Sequence, residues 1–177
     1  MQGETTIRVP ARTRSLIGRL TVAVTCLLAF PAPVRAQKGT ATNFTIRDLG
    51  GKHLRLSDFK KNVVLMYFWA TWCKGCTGEL RHLEKLYRKY KAKGFVVLAI
   101  SMDGPESQAN VKPVVQRYNL TFPVAIDRET TVVKLYNPKH AAPFSVMLRR
   151  GRVVRTREGF QVSDLPLIEK EIQELLR

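Results

Sequence analysis

The stretch from Val63 to Cys76 constrains this chain more than any other. Seven consecutive apolar residues, Val63-Val64-Leu65-Met66-Tyr67-Phe68-Trp69, leave no polar face, which is the pattern of a strand covered on both sides. Cys73-Lys74-Gly75-Cys76 then opens a segment in which Leu80, Leu83, Leu86, Tyr87 and Tyr90 recur at helical spacing among Arg, Lys and Glu. A doubly covered strand running into an amphipathic helix requires a layered arrangement of sheet and helices. It also sets two cysteines at the turn between the two elements.

The flanking segments extend this pattern. Residues 43–49 and 53–56 read as short strands joined at Gly50-Gly51, a hairpin signal. The helix after the cysteines is expected over residues 73–93, with Gly94 as its C-terminal glycine. Phe95 to Ser101 is a second buried strand, and residues 106–118 suit a helix bent at Pro113. Phe122 to Ile126 is a further strand and residues 129–136 a short helix. Phe144 to Leu148 and Val153 to Thr156 form a hairpin around Arg149-Arg150-Gly151-Arg152. A last helix is expected from a Ser163 cap, with Pro166 in its first turn and Leu165, Ile168, Ile172 and Leu175 on one stripe. The expectation is a mixed α/β sheet covered by helices, with no internal repeat.

Residues 1–36 read differently. Arg8, Arg12, Arg14 and Arg19 precede the apolar run Leu20 to Phe30, followed by Pro31-Ala32-Pro33 and Val34-Arg35-Ala36. A basic start, a short apolar run and a small residue before a cut mark a secretory signal, here cleaved after Ala36. The alternative is a retained signal-anchor using residues 16–30, with membrane anchoring through that segment. Both readings make residues 37–177 an exported domain, periplasmic or held at the membrane facing the extracytoplasmic side. Cys26 is a weak lipidation site, since apolar residues continue past it. Of 30 basic and 14 acidic residues, five Arg and one Glu lie in residues 1–36, which leaves 25 and 13, a net charge of +12. Such a charge bears on solubility and partners and not on the fold. The stripe Arg81, Lys85, Arg88, Lys89 and Lys91 reads as a solvated helix face, and export argues against nucleic acid as a partner.

With Cys26 removed, the only cysteines are Cys73 and Cys76, and an oxidising compartment favours their pairing. Cys73 at a helix N-terminus is favoured as thiolate, with Lys74 adding positive charge. Cys76, one turn on, is placed to resolve a mixed disulfide formed by Cys73. The competing readings are a static disulfide and half of a zinc site. A bridge closing so small a loop constrains the unfolded chain little. Zinc needs more ligands than His53, His82 and His140 offer, and no second cysteine pair is present.

Phe68-Trp69-Ala70-Thr71-Trp72-Cys73-Lys74-Gly75-Cys76 resembles the active-site segment of the thioredoxin superfamily. Glu79-Leu80 is similar to the TlpA/ResA-like branch of exported thiol-disulfide oxidoreductases. The resemblance continues through residues 95–103, Leu120-Thr121-Phe122-Pro123-Val124 with Asp127, Ala142-Pro143, and the hairpin at residues 150–154, covering essentially residues 40–177.

The resemblance implies a thioredoxin-like fold with an N-terminal β-hairpin and a helix and strand inserted between the dithiol helix and the cis-proline loop. It further implies thiol-disulfide exchange through Cys73 and Cys76, with no cofactor beyond their redox-active disulfide and no metal. Pro143 would be the cis-proline, and Ala142 would offer its backbone to an extended client. Glu79, on the same helical face as the cysteines, would tune them and move protons, or else merely complement the helix dipole. Trp72 would form part of the docking rim, and Lys74 and Gly75 would set the redox poise. The implied partners are client protein thiols and disulfides and a membrane or periplasmic electron donor, with apocytochrome c or copper-site assembly among the client classes.

The chain departs from the family pattern in several places. Lys74-Gly75 replaces the usual dipeptides, Phe144 stands where Thr is frequent, Arg81 where a kinking Pro is common, and Tyr67 where thioredoxin carries an Asp. A thiol peroxidase of the broader fold would need Pro and Thr at the positions held by Met66 and Ala70. A copper-delivery protein using Cys73, Cys76 and His140 is the remaining alternative, since thiolates suit Cu(I).

Overall fold

The computed structural model describes residues 39–177; the signal or anchor reading of residues 1–36 lies outside them. Among the described residues seven strands and four α-helices follow in the order β1 (Thr45–Arg47), β2 (His53–Arg55), β3 (Val63–Trp69), α1 (Lys74–Tyr90), β4 (Phe95–Ser101), α2 (Val111–Arg117), β5 (Val124–Ile126), α3 (Thr131–Tyr136), β6 (Phe144–Arg149), β7 (Arg152–Glu158) and α4 (Leu165–Leu175). β1 and β2 form the expected hairpin. The Asp48 carboxylate accepts from the backbone N–H of Gly50 (2.9 Å) and Lys52 (2.8 Å), and Gly51 takes the left-handed conformation, φ +85°, that its side-chain-free backbone permits.

The main sheet has the order β5-β4-β3-β6-β7. β3, β4 and β5 are parallel, and β6 and β7 run antiparallel to their neighbours. Every residue of β3 is buried, because the central strand is covered on both faces. On one face Val63, Leu65, Tyr67 and Trp69 meet Leu80 and Leu83 of α1, Val111 of α2, and Ile168 and Ile172 of α4. On the other, Val64, Met66 and Phe68 meet Leu54 of β2, Phe44 and Leu56 beside the hairpin, and Val132 and Val133 of α3. The alternation assigns odd-numbered β3 side chains to the face that carries α1.

The helices differ from the sequence expectations at their ends. α1 stops at Tyr90 and a 3₁₀ turn, Lys91–Lys93, completes the segment before Gly94, φ +95°. The helix expected from residue 106 begins later. Ser107 and Gln108 donate to the Gly104 carbonyl (both 3.0 Å), a 3₁₀ turn spans Gln108–Asn110, and α2 follows. Pro113 therefore lies in the first turn of α2, where its missing N–H has no intrahelical partner to lose, and it does not bend a longer helix. Ser163 is not a cap: the 3₁₀ turn Val162–Asp164 precedes α4, and the Asp164 carboxylate accepts from the Gln161 N–H at 3.0 Å. Pro166 does fall in the first turn of α4. Between α1 and Pro143 the chain supplies β4, α2, β5 and α3.

Candidate active site

Parallel strands leave the catalytic opportunities of an open α/β sheet at their carboxyl ends, and β3 delivers the cysteines there. After Trp69 the chain turns, with Cys73 N–H donating to the Ala70 carbonyl at 3.1 Å. Asp103, just beyond β4 and 2% exposed, clamps this turn. Its carboxylate accepts from the Thr71 N–H (3.0 Å), the Thr71 hydroxyl (2.5 Å) and the Ser101 hydroxyl (2.8 Å). The Met102 N–H adds a bond to the Trp69 carbonyl at 2.8 Å. The buried acid thus fixes the approach to the dithiol with donors from two strand ends.

Cys73 is the residue that caps α1, and its sulfur accepts from the Cys76 N–H at 3.2 Å. Cys73 and Cys76 are joined as a disulfide. Their exposure is unequal: Cys73 retains 9% of its surface at the rim, and Cys76 is fully buried. An attacking sulfur in that position meets the unpaired N–H groups and positive end of a 17-residue helix, which favour a thiolate. Lys74 and Gly75 both face solvent. A Cβ built on Gly75 touches nothing within 4 Å, so the dipeptide is free to vary sterically. Trp72 is 58% exposed beside the nucleophile, whereas Trp69 is core.

Glu79 lies one helical turn beyond Cys76 and is 4% exposed. Tyr67, fully buried on the α1 face of β3, places its hydroxyl 2.7 Å from Glu79 Oε2 and 3.2 Å from the Cys76 carbonyl oxygen. Burial pushes the Glu79 carboxyl up to about 8; the Tyr67 hydrogen bond opposes this and the nearby Asp164 carboxylate adds to it. Burial, with the charge of Glu79 beside it, likewise drives the Tyr67 phenol well above its ordinary range. The carboxyl therefore changes charge near neutrality, where proton transfer to and from a thiol is useful.

The second wall comes from β6. Phe144 pairs with Phe68 in the sheet, which sets Pro143 level with the carboxyl end of β3. The Ala142–Pro143 peptide is cis. Asn137, 1% exposed, holds this loop from below: its amide donates to the Ala141 carbonyl (2.8 Å) and accepts from the Ala141 N–H (3.0 Å). The Pro143 carbonyl accepts from the Gly159 N–H at 2.9 Å, tying the loop to the end of β7.

Sequence reading proposed Cys73, Cys76, Glu79, Trp72, Lys74, Gly75, Ala142 and Pro143, and these gather at one end of the sheet. It treated Tyr67 only as a substitution and missed Asp103, Asn137 and Asp164 as participants. His140 is exposed on its loop. No group of three or more His, Cys, Asp and Glu is arranged to hold a metal ion among the described residues.

Known proteins share both the sequence and the shape. The AhpC/TSA family matches residues 38–163. The thiol-disulfide oxidoreductase ResA of Bacillus thuringiensis subsp. konkukian is 38% identical over 124 residues, 70% of each chain. ResA of Geobacillus kaustophilus is 40% identical over 98 residues, 55% of each chain. Among solved structures, a protein provisionally named thiol:disulfide interchange protein DsbE, from Chlorobium tepidum, superposes with a TM-score of 0.73 at 30% identity. That match covers 79% of this chain and 97% of the other.

Proposed function

This chain belongs to the AhpC/TSA family, among its ResA-like thiol-disulfide oxidoreductases, and from that premise we propose that it reduces disulfides of client proteins outside the cytoplasm. One observation carries the reading: Cys73, which caps α1 and keeps 9% of its surface, is paired with a fully buried Cys76 one helical turn before a carboxyl pushed up to about 8. A purely structural bridge has no use for that asymmetry.

In the reducing direction the Cys73 thiolate attacks one sulfur of the client disulfide. A mixed disulfide forms and the other client sulfur leaves as a thiolate, which takes a proton from solvent. Cys76 passes its proton to the Glu79 carboxylate and attacks the Cys73 sulfur. The Cys73–Cys76 disulfide forms and the second client thiolate departs to be protonated. The client gains two electrons, the dithiol loses two, and an external dithiol donor must restore it. The cis Ala142–Pro143 segment offers backbone to an extended client strand, and the exposed Trp72 supplies an aromatic anchor beside it.

The basic and apolar pattern of residues 1–36 supports export, by a cleaved signal or a retained anchor at residues 16–30. The client class includes apocytochrome c and copper-site proteins, and the electron donor is a membrane or periplasmic partner.

Two substitutions and one potential test this reading. Cys73→Ser is expected to abolish reduction of a model disulfide, and Cys76→Ser to accumulate mixed disulfides visible on non-reducing gels. Full activity in Cys73→Ser overturns the assignment. Equilibration in graded dithiothreitol buffers is expected to give a potential near that of thioredoxin, roughly −270 mV. A value near that of DsbA, about −120 mV, keeps the exchange chemistry but reverses its direction.

A further inference from the structure

Tyr67 is the buried polar side chain next to the dithiol for which exchange chemistry alone has no role. It sits in the middle of the central strand with zero exposure, where a phenylalanine would fill the space without the cost of burying a hydroxyl. Its oxygen lies within hydrogen-bond distance of two acceptors, Glu79 Oε2 (2.7 Å) and the Cys76 backbone carbonyl (3.2 Å). A phenol has one hydrogen to donate and lone pairs with which to accept. It cannot give a full hydrogen bond to both acceptors at once.

Two arrangements satisfy all three groups. With Glu79 ionised, the carboxylate can only accept, so the Tyr67 hydrogen points to it and the Cys76 carbonyl is left to its helix partner. With Glu79 protonated, the carboxylic O–H can donate to the Tyr67 oxygen, and the Tyr67 hydrogen is free for the Cys76 carbonyl. The heavy atoms need not move, and no water need enter the core. The ionisable groups that face Glu79 are Tyr67 from β3 and Asp164 from the turn before α4, and Cys76 precedes it on its own helix. Asp164 disfavours the ionised form. Tyr67 is the donor that favours it.

We propose that Tyr67 is a positioning residue for the resolving step, holding Glu79 as a carboxylate and handing its hydrogen bond to the Cys76 carbonyl when Glu79 takes the Cys76 proton. This rests on the reading that Glu79 accepts that proton. Tyr67 itself gains and loses no proton overall; it reorients, and so lets a buried base take up a proton with its hydrogen bonds kept, the proton then passing to the departing client thiolate.

The test uses the purified reduced protein and dithiobis(nitrobenzoate), whose two thiolates leave in successive phases, the first on Cys73 attack and the second on resolution by Cys76. Loss of a hydrogen bond to a charged group raises the carboxyl midpoint by about one pH unit or more. In Tyr67→Phe, carbon NMR of the Glu79 carboxyl is therefore expected to show that rise. The second phase at pH 7 should slow about tenfold with its pH profile displaced upward, and the first phase should stay within twofold. In a Glu79→Gln background, adding Tyr67→Phe should change the second phase by less than twofold.

A folded Tyr67→Phe protein with an unmoved Glu79 midpoint overturns the proposal, as does a slowed second phase whose profile keeps its position. Should Tyr67→Phe fail to fold, the wild-type protein answers: the Tyr67 Cζ resonance must titrate with the Glu79 midpoint, and an invariant resonance overturns the proposal. A second phase unchanged in Glu79→Gln instead defeats the assignment of Glu79 as the base. That failure is separable, because the Tyr67–Glu79 coupling is read from the carboxyl midpoint alone.

Discussion

Glu79 and Glu84 lie on the same helix, 4% and 5% exposed, and their surroundings are opposite. Glu84 is supplied with donors: Arg88 Nε at 2.5 Å, the Thr121 hydroxyl at 2.6 Å and the Thr121 N–H at 2.8 Å. The guanidinium comes from its own helix and the threonine from the loop before β5, so this carboxylate staples α1 to the neighbouring crossover. Glu79 receives one neutral hydroxyl, from Tyr67, and faces a second carboxylate, Asp164. A buried acid with its donors supplied is a structural part. One left short of donors is costly to ionise, and that cost is what brings its proton into the range where thiols exchange theirs.

The largest expected effect tests that cost directly. The Glu79 carboxyl is held near 8 against an ordinary 4.5, so the folded chain keeps a proton that the unfolded chain has released between those values. Its contribution to stability is complete below about pH 4.5 and is lost as pH rises through about 8. A tenfold change in proton affinity corresponds to about 1.4 kcal/mol, so the swing amounts to several kcal/mol. Glu79→Gln removes the titration. Urea unfolding of both proteins at pH 5, 7 and 9 should show the wild type losing ground to Glu79→Gln steadily with rising pH. A difference that stays flat with pH would erase the contrast between the two glutamates.

Glu84→Ala should act in the other manner. It strips three donors of their acceptor, two of them on Thr121 in part-buried bonds, and the expected loss is about 2 kcal/mol in unfolding free energy. The dithiol lies two turns away on α1, so the rate of model-disulfide reduction should stay within twofold. If Glu84→Ala instead slowed exchange as Glu79→Gln does, the division of labour along α1 would be wrong.

The contrast also explains what could be read from the sequence. The β3 run, the spacing of α1 and the cysteines at their junction are local patterns, set by burial within one element, and the structure has each of them where the residues indicate. Glu79 was recognisable because it shares a helical face with Cys76. Its partner Tyr67 is twelve positions away and is joined to it only by packing of α1 on the sheet, which leaves no periodic trace. The same holds for Asp103 and Thr71, separated by 32 positions, and for Glu84 and Thr121, separated by 37. Ser163 and the segment before α2 misled for another reason. Short 3₁₀ turns occupy both places, and a turn of three residues is too short to show a hydrophobic period.

Glu84→Gln is the smallest expected effect and the sharpest comparison, since it makes the same chemical change as Glu79→Gln at the other position. The glutamine carbonyl can still accept from the Thr121 N–H or hydroxyl, so much of the staple survives. What disappears is the charge facing Arg88, whose side chain is 54% exposed, and ion pairs of that exposure contribute up to about 1 kcal/mol and weaken with salt. The expected cost is about 1 kcal/mol in roughly 50 mM salt, shrinking at about 0.5 M, and well under the cost of Glu84→Ala. A loss as large as that of alanine, insensitive to salt, would mean that the Glu84 charge and not its acceptor geometry holds the crossover. At pH 9 the two amide substitutions should then have opposite signs, Glu79→Gln stabilising and Glu84→Gln destabilising, because only one of these carboxylates is short of donors.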